Sequence, residues 1–176
     1  MTLAYRAEYL KALGNEAVPV ISLPQEWLAE RLHELPRLIN EQDPAWSLLP
    51  HCTERTNAPA ATSDWIKVAL HFGVDMQIVA SGCCGMAGLY GHELANRPTS
   101  EAIYRQSWGP IANDARHAGR TLATGYSCRC QAKLIDGLPL MHPLQLLLRV
   151  LKSGPAVHAA HAVTAAILQA EHHEEC

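Results

Sequence analysis

Two adjacent cysteines between glycines, Gly82-Cys83-Cys84-Gly85, follow the apolar run Val74 to Ala80 and form the densest local source of soft ligands in the chain. Thiolates suit zinc and iron–sulfur clusters, so the pair points first to metal binding or electron transfer. Neighbouring side chains on an extended strand face opposite ways, and both thiols reach one centre only if the backbone turns sharply beside them. Gly82 and Gly85 permit that turn. The plainer alternative is two small buried hydrophobes in a glycine-rich turn. What separates the two is the placement of the other cysteines.

The elements around the cysteines read as alternating strands and helices. Residues 3–14 carry a helical periodicity stopped by Gly14, and Ala17 to Leu23 reads as a first strand with Pro19 near its start. Gln25 to Ile39 is an amphipathic helix that Pro36 should end early. Trp46 to Cys52 reads as a strand delivering His51 and Cys52 at its C-terminal end, and Thr53 to Thr62 as a polar loop. Ser63-Asp64 then caps a helix ending at Gly73, and Val74 to Ala80 runs as a strand into the paired cysteines. Pro98 opens a helical stretch towards Gly119, broken at Gly109-Pro110. Arg120 to Cys128 is a fourth strand, Leu138 to His142 a very short fifth, and Pro143 starts the apolar helix 144–151. This alternation predicts an α/β fold, a mainly parallel sheet of four to five strands flanked by helices in a Rossmann-like three-layer arrangement. In such sheets ligands bind outside the C-terminal strand ends. Cys52, Cys83, Cys84, Cys128 and, less securely, His142 all fall on that edge.

Composition narrows the function classes. A chain of 176 residues fits one domain that buries about two-thirds of its unfolded surface without a covalent staple. Its six cysteines therefore speak for metal or redox chemistry rather than for a disulfide framework. A net charge of −3 leaves no basic footprint, which argues against nucleic acid as a partner. No apolar run approaches the roughly 20 residues that span a bilayer, and no signal-peptide pattern opens the chain. The expectation is a cytoplasmic protein without a transmembrane segment, with membrane association only through partners.

The spacing of Cys52, a gap of thirty residues, Cys83-Cys84-Gly85 and then Cys128 resembles the cysteine-rich CCG domain found in heterodisulfide reductases and in the iron–sulfur subunits of glycolate and lactate oxidases. The surrounding motifs are His51-Cys52-Thr53-Glu54, Gly82-Cys83-Cys84-Gly85-Met86-Ala87-Gly88, Tyr90-Gly91-His92-Glu93 and Ala123-Thr124-Gly125-Tyr126-Ser127-Cys128-Arg129. Together they resemble the C-terminal iron–sulfur portion of large bacterial FAD/iron–sulfur oxidoreductases related to D-lactate and D-2-hydroxyglutarate dehydrogenases. The likeness runs from about Tyr5 to about Lys152.

That resemblance implies a module of a FAD-linked 2-hydroxyacid dehydrogenase, a fragment of a longer chain whose other domains hold FAD and further iron–sulfur centres. Electrons would leave the substrate as hydride to flavin and pass singly through this module to an acceptor. The isolated chain would turn over no substrate. It implies Cys52, Cys83, Cys84 and Cys128 as ligands of a 4Fe–4S cluster or, alternatively, of zinc, with Cys130, His51 and His92 as weaker candidates. The family pattern ends in Cys-x-x-Cys, whereas Cys128-Arg129-Cys130-Gln131 places Gln131 at the second cysteine, which argues against a five-thiol site. Cys130 substitutes only if the chain turns at Arg129. Residues 1–152 form the CCG-type domain and 153–176 an alanine-rich helix and polar tail, in which His158 and His161 have no assigned role.

Two readings compete with electron transfer: a structural zinc domain for assembly or partner docking, and a thiol–disulfide catalyst acting through Cys83 and Cys84. Arg55 and Arg129 are candidates to stabilise an anionic centre, against the alternative of solvated charges. Gly82, Gly85, Gly88 and Gly91 recur every third residue and would form an anion-cradling nest beside a helix start, but they lack the Lys-Ser/Thr of a P-loop.

Overall fold

Leu48 is wholly buried at the middle of a three-stranded parallel sheet, with Ile78 on one side of it and Leu122 on the other. The computed structural model describes residues 2–14, 20–38 and 44–153. Its strands are β1 (Trp46–Leu49), β2 (Met76–Ile78) and β3 (Thr121–Ala123), in the spatial order β2-β1-β3. The helices are α1 (Thr2–Leu13), α2 (Pro24–Glu30), α3 (Cys52–Asn57), α4 (Pro59–His71), α5 (Arg97–Ser107), α6 (Gly109–Ala112), α7 (Tyr126–Asp136) and α8 (Pro143–Ser153).

Strand residues alternate between two cores because successive side chains leave a strand on opposite faces. Leu48 and Leu122 join Trp65, Val68, Phe72, Leu146 and Leu147 on the face covered by α4 and α8. Leu49 and Ala123 join Cys84, Met86, Tyr104, Trp108, Cys128 and Ala132 on the face covered by α5, α6 and α7. This is the expected three-layer α/β arrangement. Two of the cysteines are core residues of the second layer, which fixes their backbone before any ligand arrives.

The strand order carries a consequence for function. β1 leads to its neighbour β2 on one side, and the chain then crosses to β3 on the other, so the loops after β1 and β3 diverge. A crevice opens at such a switch point, outside the carboxyl ends of the strands. His51 N–H donates to Thr124 Oγ1 at 2.8 Å and stitches the two loops together there.

Several expected boundaries move. The sheet has three strands among the described residues, not four or five. Of the expected first strand, residues 17–19 lie outside the described residues, and 20–23 pair with no strand. The expected fifth strand reduces to one parallel bridge between Leu122 and Met141. Cys52 and Cys128 do not end strands: each lies in the first turn of a helix, α3 or α7. The stretch read as a polar loop, 53–62, is helical on both sides of Ala58, because His51 Nδ1 accepts the Thr53 N–H at 3.2 Å and caps α3, while Pro59 starts α4 where no N–H is needed. The helix after Pro24 stops at Glu30 and tightens into a 3-10 turn over Leu32–Glu34, ahead of Pro36. The break at Gly109-Pro110 and the helix from Pro143 are as expected. The alanine-rich segment 156–170 and the tail after it lie outside the described residues.

Because Leu48 packs against both neighbouring strands and α4, Leu48→Ala should lose about 2–5 kcal/mol in urea denaturation. A loss under about 1 kcal/mol would contradict its central place in the first core.

Candidate thiol centre

The paired cysteines leave β2 on an irregular loop that packs along α5 and its exit. Ser100 Oγ donates to Gly85 O at 2.8 Å, Ser107 Oγ to Cys83 O at 2.6 Å, and Trp108 Nε1 to Gly82 O at 3.1 Å. Gly85 adopts φ +86°, and a Cβ there would collide with the Ser100 carbonyl oxygen. Only glycine allows both that backbone angle and that approach. The Gly85 N–H in turn reaches Cys83 Sγ at 3.3 Å.

The other two thiols come from the switch point. Cys52 sits one residue past the α3 cap, and Cys128 two residues into α7. Gly125 lets His51 and Cys128 approach: a Cβ on it would lie 2.5 Å from His51 Cδ2 and 2.7 Å from Cys128 Sγ. Arg129 donates to Ala123 O at 3.0 Å and Thr124 O at 3.2 Å, so its guanidinium braces the end of β3.

These thiols act on one another. The neighbouring Cys128 thiol lowers Cys84 to about 7, against burial and with help from the amides of Met86 and Cys84 itself. Cys128 is raised, first by Cys84, then by burial and by the neighbouring Cys52 and Cys83. Burial raises Cys83, whose thiol also meets Cys52. The four thiols thus lie near enough to influence one another, Cys84 most strongly with Cys128, and Cys83 with both Cys84 and Cys52. Among the described residues no three His, Cys, Asp or Glu side chains are gathered so as to hold a metal ion. The two observations are compatible: thiols can lie near one another without pointing at a common centre. A tetrahedral site with metal–sulfur bonds of about 2.3 Å needs all four sulfurs roughly 3.8 Å apart. The donor chemistry fits a four-thiolate group, and inward rotation of the side chains is what would close it.

The weaker candidates separate. His51 is half-buried and serves as the α3 cap, with its ring against Gly125 and burial holding its pKa low. Cys130 lies on α7, two residues from Cys128, where the helix turns it towards the exposed Tyr126. His92 is exposed on the 3-10 turn Tyr90–His92. Neither Cys130 nor His92 is among the groups acting on Cys83, Cys84 or Cys128. His142 caps the start of α8 through Nδ1, which accepts the Leu144 N–H at 3.2 Å, and its ring meets Trp65 edge-on.

Glu54 escaped the sequence reading. Its carboxylate accepts from Gln25 Nε2 at 2.9 Å and Trp65 Nε1 at 3.2 Å, and burial raises its pKa. It lines a cleft of about 870 Å³ with Arg6, His51, Thr53, Thr124 and Tyr126 beside the switch point. Ser100 and Ser107 escaped too, although their spacing of seven on one helix, ending beside Trp108, was a signal of a single face.

Parallel α/β architecture, with thiols on a loop and in two helix first turns beyond the strand ends, defines the class. Within it, the chain is 44% identical over 153 residues to D-2-hydroxyglutarate dehydrogenase of Pseudomonas putida, covering 85% of this chain and 14% of that protein. It is 42% identical over 153 residues to the enzyme of the same name from Escherichia coli, covering 86% and 15%. One subunit of the anaerobic glycerol-3-phosphate dehydrogenase of Escherichia coli is 28% identical over 160 residues, covering 85% and 38%. The chain therefore spans about a seventh of the length of the D-2-hydroxyglutarate dehydrogenases it matches. No family model and no solved structure matches it. No described helix is long and apolar enough to cross a membrane.

Burial, and then the charge on Arg129, lower His142 to about 4. As pH falls below about 6.5, the unfolded chain takes up a proton that the folded chain refuses, so stability is lost between about pH 6.5 and about pH 4. His142→Asn should flatten that part of the stability profile in denaturation at stepped pH. An imidazole titrating by NMR near 6.5 would contradict the burial account.

Proposed function

We propose that the chain is the iron–sulfur electron-transfer module of a FAD-dependent 2-hydroxyacid dehydrogenase, with Cys52, Cys83, Cys84 and Cys128 as the ligands of a 4Fe–4S cluster. The observation that carries this reading is that thiols from three separate stretches of sequence come near enough, beyond the carboxyl ends of the strands, to act on one another. The dehydrogenase names of the relatives support the oxidoreductase part. FAD and substrate belong to the remainder of the longer protein, and the partners of this module are the FAD-binding domain, other iron–sulfur domains and an electron acceptor.

When bound, such a cluster supplies one-electron redox capacity. This chain's own part is to hold and insulate it. Cys84 and Cys128 enter from the second core, among Met86, Tyr104 and Trp108, which keep water from that side. The amides of Gly85 and Met86 face sulfur and favour negative charge there. Cys84 is lowered by its neighbours and so favours the thiolate that a metal centre would require.

Structural zinc is the second reading, favoured by the same four-thiol donor set and by the burial of Cys84 and Cys128. Anaerobic purification followed by metal analysis and EPR separates the two. Electron transfer predicts about four iron atoms per chain and a dithionite-induced EPR signal. Serine at any of Cys52, Cys83, Cys84 or Cys128 should abolish that signal, and Cys130→Ser should preserve it. A colourless chain with stoichiometric zinc and no iron uptake would reject the redox role.

A further inference from the structure

Gln131 stands where the family pattern places a cysteine, and the structure gives it different work. Its side chain is 1% exposed, and Nε2 donates to Ser100 Oγ at 2.8 Å and to Ser100 O at 3.3 Å. A serine hydroxyl has one proton and two acceptor positions. With Gln131 donating to the oxygen, the Ser100 proton goes to Gly85 O at 2.8 Å. The Gly85 carbonyl and the Met86 N–H belong to one planar trans peptide group and point in opposite directions. Drawing the carbonyl onto α5 therefore turns the Met86 N–H away from α5, and the Met86 amide is among the groups that lower Cys84. Ser107 does the same for an earlier peptide unit: it holds Cys83 O at 2.6 Å, and the Cys84 N–H faces the other way.

Glycines make the contact possible. A Cβ at Gly85 would strike the Ser100 carbonyl oxygen and lie 3.3 Å from Gln131 Nε2, while one at Gly91 would strike Ser100 Oγ. Gln131 is also one helical turn beyond Cys128, so a single residue ties the α7 thiol to the loop that carries the other two.

We propose that Gln131 and Ser100 are positioning residues: Gln131 fixes the Ser100 hydroxyl as the donor to Gly85, and this sets the Gly85–Met86 peptide so that the Met86 amide faces away from α5, on the thiol side of the turn. The proposal rests on the four-thiol reading for its bearing on metal binding. Gln131 is thereby committed to the loop and takes no ligand position.

The test uses Gln131→Met, which keeps length and loses the donor, and Ser100→Ala, which loses the relay. In the metal-free full chain, amide exchange should quicken at Met86 by about fivefold, as loss of one hydrogen bond implies, while the amides of α4 keep their rates. Ser107→Ala is the internal control, acting on the Cys84 amide and sparing Met86. In cobalt(II) titration both variants should bind about 10–100-fold more weakly than the unmodified chain, with the same thiolate-to-cobalt absorption at saturation. Unchanged Met86 exchange in both variants would overturn the proposal, as would quickening spread evenly through α4, since that marks general destabilisation. Should the unmodified chain bind neither cobalt nor iron, the functional reading fails, and the exchange comparison still decides the clamp.

Discussion

A buried turn that carries two thiols stands only if its peptide groups find partners. Each orphaned buried carbonyl would cost about 1–3 kcal/mol, and the turn passes from exposed Gly82 and half-buried Cys83 into the core at Cys84 and Gly85. Three donors from one stretch of α5 and its exit, Ser100, Ser107 and Trp108, take three carbonyls of the turn, at Gly85, Cys83 and Gly82. Pairing the carbonyls on that side leaves amides for the sulfur side. The same hydrogen bonds that make the turn stable thus make it attractive to negative charge, which is what a thiolate centre requires.

The sheet supplies the rest. With β1 between β2 and β3, the loops after β1 and β3 part at the switch point, and Cys52 and Cys128 enter from its two sides. Gly125 leaves room for Cys128 beside the His51 ring, and the His51–Thr124 hydrogen bond joins the two loops. Residues distant in sequence meet because three very short strands end on one edge, not because any local motif gathers them.

That explains what could be read beforehand. The parallel α/β class follows from the alternation of elements, and the thiols at 52, 83, 84 and 128 lie on the edge that the alternation predicts. Their local setting was less legible. Arg120 to Cys128 reads as one continuous strand because Thr121, Thr124 and Tyr126 are all strand-prone residues, yet the strand ends at Ala123 and a helix begins after Gly125. Likewise the threonines and prolines of 53–62 look like a loop, and only the His51 cap and the position of Pro59 reveal two helices. Glu54 could not be singled out, since its partners Gln25 and Trp65 come from elements whose packing no periodicity specifies. Gln131 was visible as a departure from a pattern, but its role needed the position of Ser100.

The relatives add scale. The chain matches about a seventh of one dehydrogenase and over a third of a separate subunit of another. The central claim is that four thiols from three segments serve one inorganic centre. X-ray absorption at the edge of the metal in the anaerobically purified chain tests it most directly. The account predicts a nearest shell of about four sulfurs at about 2.3 Å, and a shell dominated by nitrogen and oxygen would contradict it.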